Sequence, residues 1–391
     1  MSGLRAVPVD GSPGAVRALA DALRAALDGG PAVLPVAPGD AAAAGEPGEG
    51  AAVVIATSGS TGAAKHVVLS AAALRASAQA TATRLGGTAR WLLALPAQHV
   101  AGVQVVVRAL LAGAPPVVQD LRGGFRPDAF AAATRELGAG RRCTSLVPTQ
   151  LGRLLDAGGA ALDALRGYSA VLVGGAALAP RLRERALAAG VPVVTTYGMS
   201  ETAGGCVYDG VPLDGVQVDL ETDGRIRLGG PTLATGYLGD PALTAAAFGG
   251  GWFRTGDLGR WRDGRLEVLG RADDVILTGG ENVAPAAVER VLVAQDGVTA
   301  ACVVGLPDAE WGQLVAAAVV ADGPLDLARA ERLRDAVRAE LGRAAVPRVL
   351  RAVPAIPLRG IGKPDRAATA ALLTADTGGA RTGGSPHPRN G

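Results

Sequence analysis

The sequence predicts an α/β protein. A large N-terminal domain of doubly wound, mostly parallel sheets carries a β-barrel-like subdomain, and a small α+β domain follows it. Three observations predict this. Between Trp91 and Thr196, short apolar runs alternate with helical stretches, the pattern of repeated βα units. From Cys206 to Leu269 the segments shorten, and D-G pairs at 209–210, 214–215, 223–224 and 263–264 signal antiparallel hairpins. Beyond Arg271 the texture is that of a compact α+β unit. A chain of 391 residues is expected to hold two or more domains. The boundaries expected are 1–271, with the β-rich part at about 206–269, then 272–373, then a disordered tail over 374–391 that is rich in Gly, Thr and Pro.

In chain order, Ala15 to Leu27 has helical spacing, with Arg and Asp on one side. Pro31 to Val36 reads as a strand, and Ala51 to Ala56 as a buried one. A helix begins near Ser70. Strands are expected at Trp91–Pro96, Pro116–Gln119, Thr144–Val147, Ala170–Val173 and Val191–Thr196. Helices are expected at Val103–Ala112, Pro127–Leu137, Thr149–Asp156 and Pro180–Ala189. In the C-terminal part, Pro285 to Val293 opens on a proline, a favoured first helical residue. Thr299–Val304 and Leu314–Ala321 read as strands, and Leu327–Leu341 as an amphipathic helix.

Composition excludes several classes of partner. With 38 basic and 36 acidic residues the net charge is +2, so no electrostatic face for nucleic acid or membrane is indicated. Aromatic residues make up 3 %, too few for a base-stacking platform. No apolar run reaches the length of a membrane span, and the N-terminus lacks a signal-peptide core. A cytoplasmic protein is expected. Cys143, Cys206 and Cys302 are far apart and odd in number, as expected of small buried thiols in a reducing compartment.

Six stretches stand apart from packing sequence. Thr57 to Lys65 reads T-S-G-S-T-G-A-A-K. It sets four hydroxyls (Thr57, Ser58, Ser60, Thr61), two glycines (Gly59, Gly62) and Lys65 at the end of a buried strand. Glycines let backbone N–H groups crowd round an anion, hydroxyls add donors and the lysine adds charge, which makes a phosphate grip by composition. The spacing is neither that of a Walker loop nor that of a dinucleotide turn. The others are L-P-A-Q-H-V-A-G with His99; V-L-V-G-G-A-A-L with Gly174, Gly175 and Ala176, followed by T-T-Y-G-M-S-E-T; F-R-T-G-D-L-G with Asp257; G-R-A-D-D-V-I-L-T-G-G-E-N-V; and P-L-R-G-I-G-K-P-D-R with Lys363. Singly, each has a plain structural explanation. Together and in this order they do not.

On these motifs the chain resembles the adenylate-forming superfamily of acyl-CoA synthetases, stand-alone adenylation domains and luciferase-like enzymes. The resemblance runs from the phosphate loop to the terminal lysine motif. Within it the chain is most similar to the o-succinylbenzoate–CoA ligases of menaquinone biosynthesis. A short N-terminal part and the stretch Y-G-M-S-E-T-A-G-G-C-V-Y-D-G-V-P-L-D-G-V point there. The resemblance implies an ATP-dependent acid–thiol ligase that forms an acyl-adenylate and passes the acyl group to coenzyme A. It implies ATP, Mg²⁺, coenzyme A and a small carboxylate as ligands, and leaves a homodimer open.

Residue by residue, the resemblance implies that the loop from Thr57 to Lys65 holds the β- and γ-phosphates. Glu201 holds Mg²⁺, with Ser200 beside it where relatives usually have threonine. Tyr197 stacks on adenine, flanked by Gly198 and Met199. Gly174, Gly175 and Ala176 border the base and the acyl group. Asp257 binds the ribose, with Arg271 nearby. Lys363 stands between carboxylate and α-phosphate. His99 shields the acyl site, although a core histidine is the alternative. The small domain is implied to be mobile, turning about Asp273 and bringing the loop Thr278–Val283, with Gly279 and Gly280, to a pantetheine tunnel. The alternatives are an enzyme with the same first step that loads an aryl or amino acid onto a carrier protein, or another acyl- or aryl-CoA synthetase.

Overall fold

The computed structural model describes residues 3–40, 43, 45–58, 64–359 and 363–375, the side chains of residues 58, 64, 359 and 363 excepted. The chain divides into two compact units. The larger takes in residues up to Leu178 together with Leu182–Thr255 and Gly259–Glu267; the smaller takes in Ala179–Arg181, Gly256–Leu258 and the residues from Val268 onward.

Two sheets lie in the larger unit, and a third lies mainly in it. The first has the order Leu4–Pro8, Ala32–Val36, Ala51–Ser58, Ala64–Ser70 and Gly236–Tyr237. The first two pairings are parallel and the last two antiparallel. The segment Thr57–Lys65 therefore joins two strands of a hairpin. The return strand is not predicted from sequence, where Ala51–Ala56 reads as a strand ahead of a helix, because its run V-V-L is short. Helix Pro13–Leu27 packs on this sheet through Val16, Leu19, Ala20, Leu23 and Leu27, spaced three and four apart. It starts at Ser12, whose Oγ accepts the Ala15 N–H at 3.2 Å, with Pro13 as its first residue.

The second sheet contains seven strands in the order Val211–Pro212, Gly204–Tyr208, Val193–Met199, Ala170–Val173, Arg142–Leu146, Arg90–Leu93 and Val117–Val118. The five from Val193–Met199 to Val117–Val118 are parallel neighbours, as the βα pattern predicts. Gly204–Tyr208 returns antiparallel to Val193–Met199, and Val211–Pro212 pairs with it in turn. This corrects the expected β-rich region. Its first hairpin, turning at Asp209 (φ 47°) and Gly210 (φ 77°), belongs to the large sheet. The G-G-C-V-Y run is almost wholly buried and continues that core. The separate antiparallel sheet begins at Gln217–Leu220 and continues through Arg225–Gly229, Trp252–Arg262 and Phe248–Gly249, with Arg265–Arg271 paired to Trp252–Arg262. Asp263 and Gly264 both have positive φ, 50° and 73°, so this D-G pair makes the tight hairpin turn it signals.

In the smaller unit the sheet order is Glu281–Val283, Ile276–Thr278, Gly312–Ala321 and Val298–Asp308, with Val349–Ala352 parallel to Gly312–Ala321. Alternation along the two long strands splits the core. Val303, Val315, Ala317 and Val319 face helices Pro285–Val293 and Leu327–Leu341; Cys302, Val304, Ala316 and Ala318 face helix Arg366–Thr374. The last helix has no counterpart in the sequence reading, and it takes in Thr374, the first residue of the expected tail; the expected tail beyond residue 375 lies outside the described residues. Arg366 opens this helix and binds Asp274 (2.9 Å), Glu289 and the Val303 carbonyl (2.7 Å), tying its start to the beginning of the unit.

All three cysteines are buried, and no described helix is long and apolar enough to cross a membrane. Burial pushes the Cys143 thiol up to about 11 and that of Cys206 to about 12. At pH 8 only about a thousandth of the Cys143 thiol would be ionised. A colourimetric thiol reagent at pH 8 should therefore label none of the three in the native protein and all three in guanidinium. Rapid labelling of the native chain would contradict the burial.

Candidate active site

The site grows from the end of the central strand Val193–Met199. There the chain makes one tight turn, Ser200–Thr202, before the return strand. Thr202 is buried and closes the turn: its Oγ1 accepts the Met199 N–H at 3.0 Å and donates to the Gly204 carbonyl at 2.8 Å. Ala203 then takes a left-handed conformation (φ 51°), which is unusual for a residue with a Cβ. Two helices hold it there. Gln104 Nε2 donates to its carbonyl at 2.8 Å and Ser77 Oγ at 3.1 Å. Gly198 is a steric necessity: a Cβ would lie 2.1 Å from the Gly204 carbonyl oxygen.

This turn presents Glu201. One of its carboxylate oxygens accepts the phenol O–H of Tyr237 at 2.9 Å, and its own carbonyl accepts the Ala234 N–H at 2.9 Å. The Lys65 ammonium stands 5.6 Å from the centre of the Tyr237 ring. Burial, then the Glu201 charge and hydrogen bond, push the Tyr237 phenol above its usual range, so it remains a donor. Thr57 Oγ1 donates to the Lys65 carbonyl at 3.2 Å, and Thr57 pairs directly with Lys65 in the hairpin. Both ends of the hydroxyl-rich loop are thus pinned. The loop's Gly59, Ser60, Thr61 and Gly62 lie outside the described residues, as does the Ser58 side chain.

Around this centre the larger unit gathers the other expected residues. Ser200 is buried, and Tyr197 and Met199 are half-buried against Cys206, Val207 and Ile226. Gly174, Gly175 and Ala176 follow the neighbouring strand Ala170–Val173; a Cβ on Gly174 would lie 2.3 Å from Thr196 Oγ1. His99 is half-buried and precedes helix Val100–Leu111. The glycine of the L-P-A-Q-H-V-A-G stretch is explained by contact: a Cβ on Gly102 would lie 2.3 Å from the Pro96 carbonyl oxygen.

The smaller unit carries the remaining expected residues. Arg271 Nη1 is 3.4 Å from Asp257, and Nη2 is 3.1 Å from Asp273. Its guanidinium covers Gly256, where a Cβ would approach Nη2 to 2.4 Å and the arginine would have to shift. Gly279 and Gly280 form the two-residue turn between Ile276–Thr278 and Glu281–Val283, with φ of 57° and 82°. Gly279 also abuts Trp311, whose ring would be 2.7 Å from a Cβ. Lys363 lies in the hairpin strand Lys363–Pro364, paired with Leu358–Arg359; its side chain is outside the described residues.

Sequence reading missed three side chains. Tyr237 lies in A-T-G-Y-L-G-D-P; in a chain with four tyrosines, one in a glycine-flanked turn was a usable signal. Gln104 and Arg108 lie four apart on the otherwise apolar helix V-A-G-V-Q-V-V-V-R-A-L-L, on one buried face. Arg108 Nη2 is 3.3 Å from the Tyr208 hydroxyl, which in turn is 3.0 Å from Thr81 Oγ1, and its guanidinium lies 5.3 Å from the Trp91 ring centre. Arg108 Nε and Gln104 Oε1 are buried without a hydrogen-bond partner.

A strand-end turn bearing a carboxylate, beside a lysine-tipped hydroxyl loop, suits the binding of a nucleotide phosphate. Comparison with known proteins agrees. The family described as AMP-binding enzyme matches residues 18–238, and its C-terminal domain matches residues 287–363. The chain belongs to the AMP-binding enzyme family. A probable 2-succinylbenzoate–CoA ligase from Mycobacterium tuberculosis is 48 % identical over 320 residues, covering 81 % of this chain and 83 % of that protein. The Bacillus subtilis o-succinylbenzoate CoA synthetase in complex with its acyl-adenylate intermediate superposes with a TM-score of 0.71 at 27 % identity, over 86 % of this chain and 74 % of that one. An amide bond synthetase from Marinactinospora thermotolerans gives 0.73 at 30 % identity, over 88 % and 75 %. Family members are AMP-binding enzymes, and the Glu201 turn lies within the matched region.

The close approach at Gly198 gives a direct test. Gly198→Ala should displace the return strand, lower stability by about 2–4 kcal/mol and remove ATP binding. A melting temperature within two degrees of the parent, with nucleotide affinity kept, would refute the packing described.

Proposed function

We propose that this chain is an AMP-forming o-succinylbenzoate–CoA ligase of menaquinone biosynthesis. It joins the acid to AMP with release of pyrophosphate and passes the acyl group to coenzyme A. Kinship with ligases named for this substrate supports the reading. Arg108 carries the choice of acid. o-Succinylbenzoate has two carboxylates, of which one is activated and the other needs a partner. Arg108 is 7 % exposed and has no acidic partner among the described residues. A buried guanidinium without a counter-anion is costly, and a second substrate carboxylate would neutralise it.

The remaining roles follow from charge. An anionic carboxylate must meet an anionic α-phosphate, so cations and donors have to screen both. Lys65 and the loop from Thr57 to Gly62 would hold the β- and γ-phosphates. Glu201 fits a Mg²⁺ ligand: it is a hard oxygen donor, and Mg²⁺ commonly takes one or two carboxylates with phosphate and water completing the shell. Among the described residues no cluster of three acidic, histidine or cysteine ligands offers an alternative. Tyr197 would stack on adenine and Asp257 would accept from the ribose hydroxyls, with Arg271 beside it. Lys363 would bridge carboxylate and α-phosphate during adenylation, the small domain then turning about Asp273 for thioester formation.

Incubation with ATP, Mg²⁺, o-succinylbenzoate and coenzyme A should yield AMP, pyrophosphate and the CoA thioester. The likeness to an amide bond synthetase favours one competing outcome, an adenylate that reacts with an amine and not with coenzyme A. Arg108→Met should raise KM for o-succinylbenzoate about 10–100-fold, the worth of one charge-assisted hydrogen bond, while leaving KM for ATP within twofold. An unchanged KM for the diacid would remove Arg108 from the acyl site. Lys363→Ala should slow adenylation about 10²–10³-fold yet spare thioester formation from supplied acyl-adenylate; equal loss of both steps counts against the assignment.

A further inference from the structure

We infer that Tyr237 is a positioning residue that aims the Glu201 carboxylate and the Lys65 ammonium at the same phosphate group. The inference rests on the reading of Glu201 as the metal carboxylate. Its basis is the way Tyr237 is fixed and what its two ends touch. The backbone is locked: strand Gly236–Tyr237 pairs with Val67–Val68, two and three residues beyond Lys65, and the Tyr237 N–H donates to Thr244 Oγ1 at 2.9 Å. Gly236 allows this approach, since a Cβ there would lie 2.5 Å from Thr244. The ring is locked too, edge-on to Phe248 at 5.7 Å between centroids, with the whole residue 8 % exposed. From this frame the hydroxyl donates to Oε1 of Glu201 at 2.9 Å and leaves Oε2 for a ligand, while the ring face holds Lys65 at 5.6 Å.

The two contacts are chemically separable, which makes the inference testable. Tyr237→Phe keeps the ring and removes the hydroxyl; Tyr237→Leu removes both. ATP binding to the full chain is titrated by calorimetry without any acyl acid, once with excess Mg²⁺ and once with EDTA. For Tyr237→Phe the gain in affinity that Mg²⁺ confers should fall about 10-fold or more, the usual effect of removing a group that orients a metal ligand. Its affinity in EDTA should stay within twofold of the parent. Tyr237→Leu should also weaken binding in EDTA. Glu201→Gln should abolish the Mg²⁺ gain, and adding Tyr237→Phe to it should change nothing further. An unaltered Mg²⁺ gain in Tyr237→Phe, or a double variant markedly worse than Glu201→Gln alone, overturns the inference. A Glu201→Gln variant that keeps the parental Mg²⁺ gain instead overturns the metal role of Glu201. With no acyl acid present, an error in the choice of acid affects neither result.

Discussion

The carbonyl of Ala203 is where the candidate site is anchored to the core. It accepts hydrogen bonds from Gln104 on one helix and Ser77 on another. A left-handed alanine costs roughly 1–2 kcal/mol, so the conformation persists only where surrounding bonds impose it. Here they do, and the consequence is directional. With Ala203 fixed and Thr202 bonded on both sides, the strand Val193–Met199 cannot run on. It reverses, and the reversal pushes Glu201 out of the sheet toward Tyr237 and Lys65. The seven-stranded sheet supplies rigidity; the strained turn supplies aim.

The same logic accounts for the glycines that mark the motifs. Each looks from sequence like a flexible point, and several are instead points of contact. Gly198 faces a carbonyl, Gly102 faces the Pro96 carbonyl in the loop before its helix, Gly256 carries the Arg271 guanidinium and Gly279 carries the Trp311 ring. In these four places the missing Cβ allows two segments to touch. Gly280 is different, since open space surrounds it and positive φ at a two-residue turn explains it; Gly279 and Gly210 meet both demands. A glycine motif thus mixes two physical demands that the sequence alone does not separate.

Much of the fold was legible because its signals are local. Helix Pro13–Leu27 announces itself by apolar spacing and a Ser-Pro start, and the parallel strands by short apolar runs after turns. What was not legible depends on pairing across the chain. The return strand Ala64–Ser70 and the hairpin at Asp209 join sheets that local pattern cannot choose between, because an antiparallel edge strand and a barrel strand read alike. At the candidate site, the sequence singled out residues within motifs and passed over contacts supplied from elsewhere. Tyr237 reaches Glu201 across 36 positions, and Arg108 reaches Tyr208 across 100.

Arg108 also bears on why an apolar helix should contain polar residues at all. Gln104 and Arg108 point from helix Val100–Leu111 toward the return strand, one anchoring Ala203 and the other meeting Tyr208. The first bond is structural and mostly satisfied. The second is not, because a guanidinium has five donors and this one finds a phenol, an aromatic face and an unpartnered Nε. Folding alone would favour an apolar residue there, since replacing buried charge by packed hydrocarbon is often neutral or stabilising. The proposed role in binding the second carboxylate would account for keeping the arginine. It stands one turn beyond Gln104, on the same rigid helix that anchors the Glu201 turn.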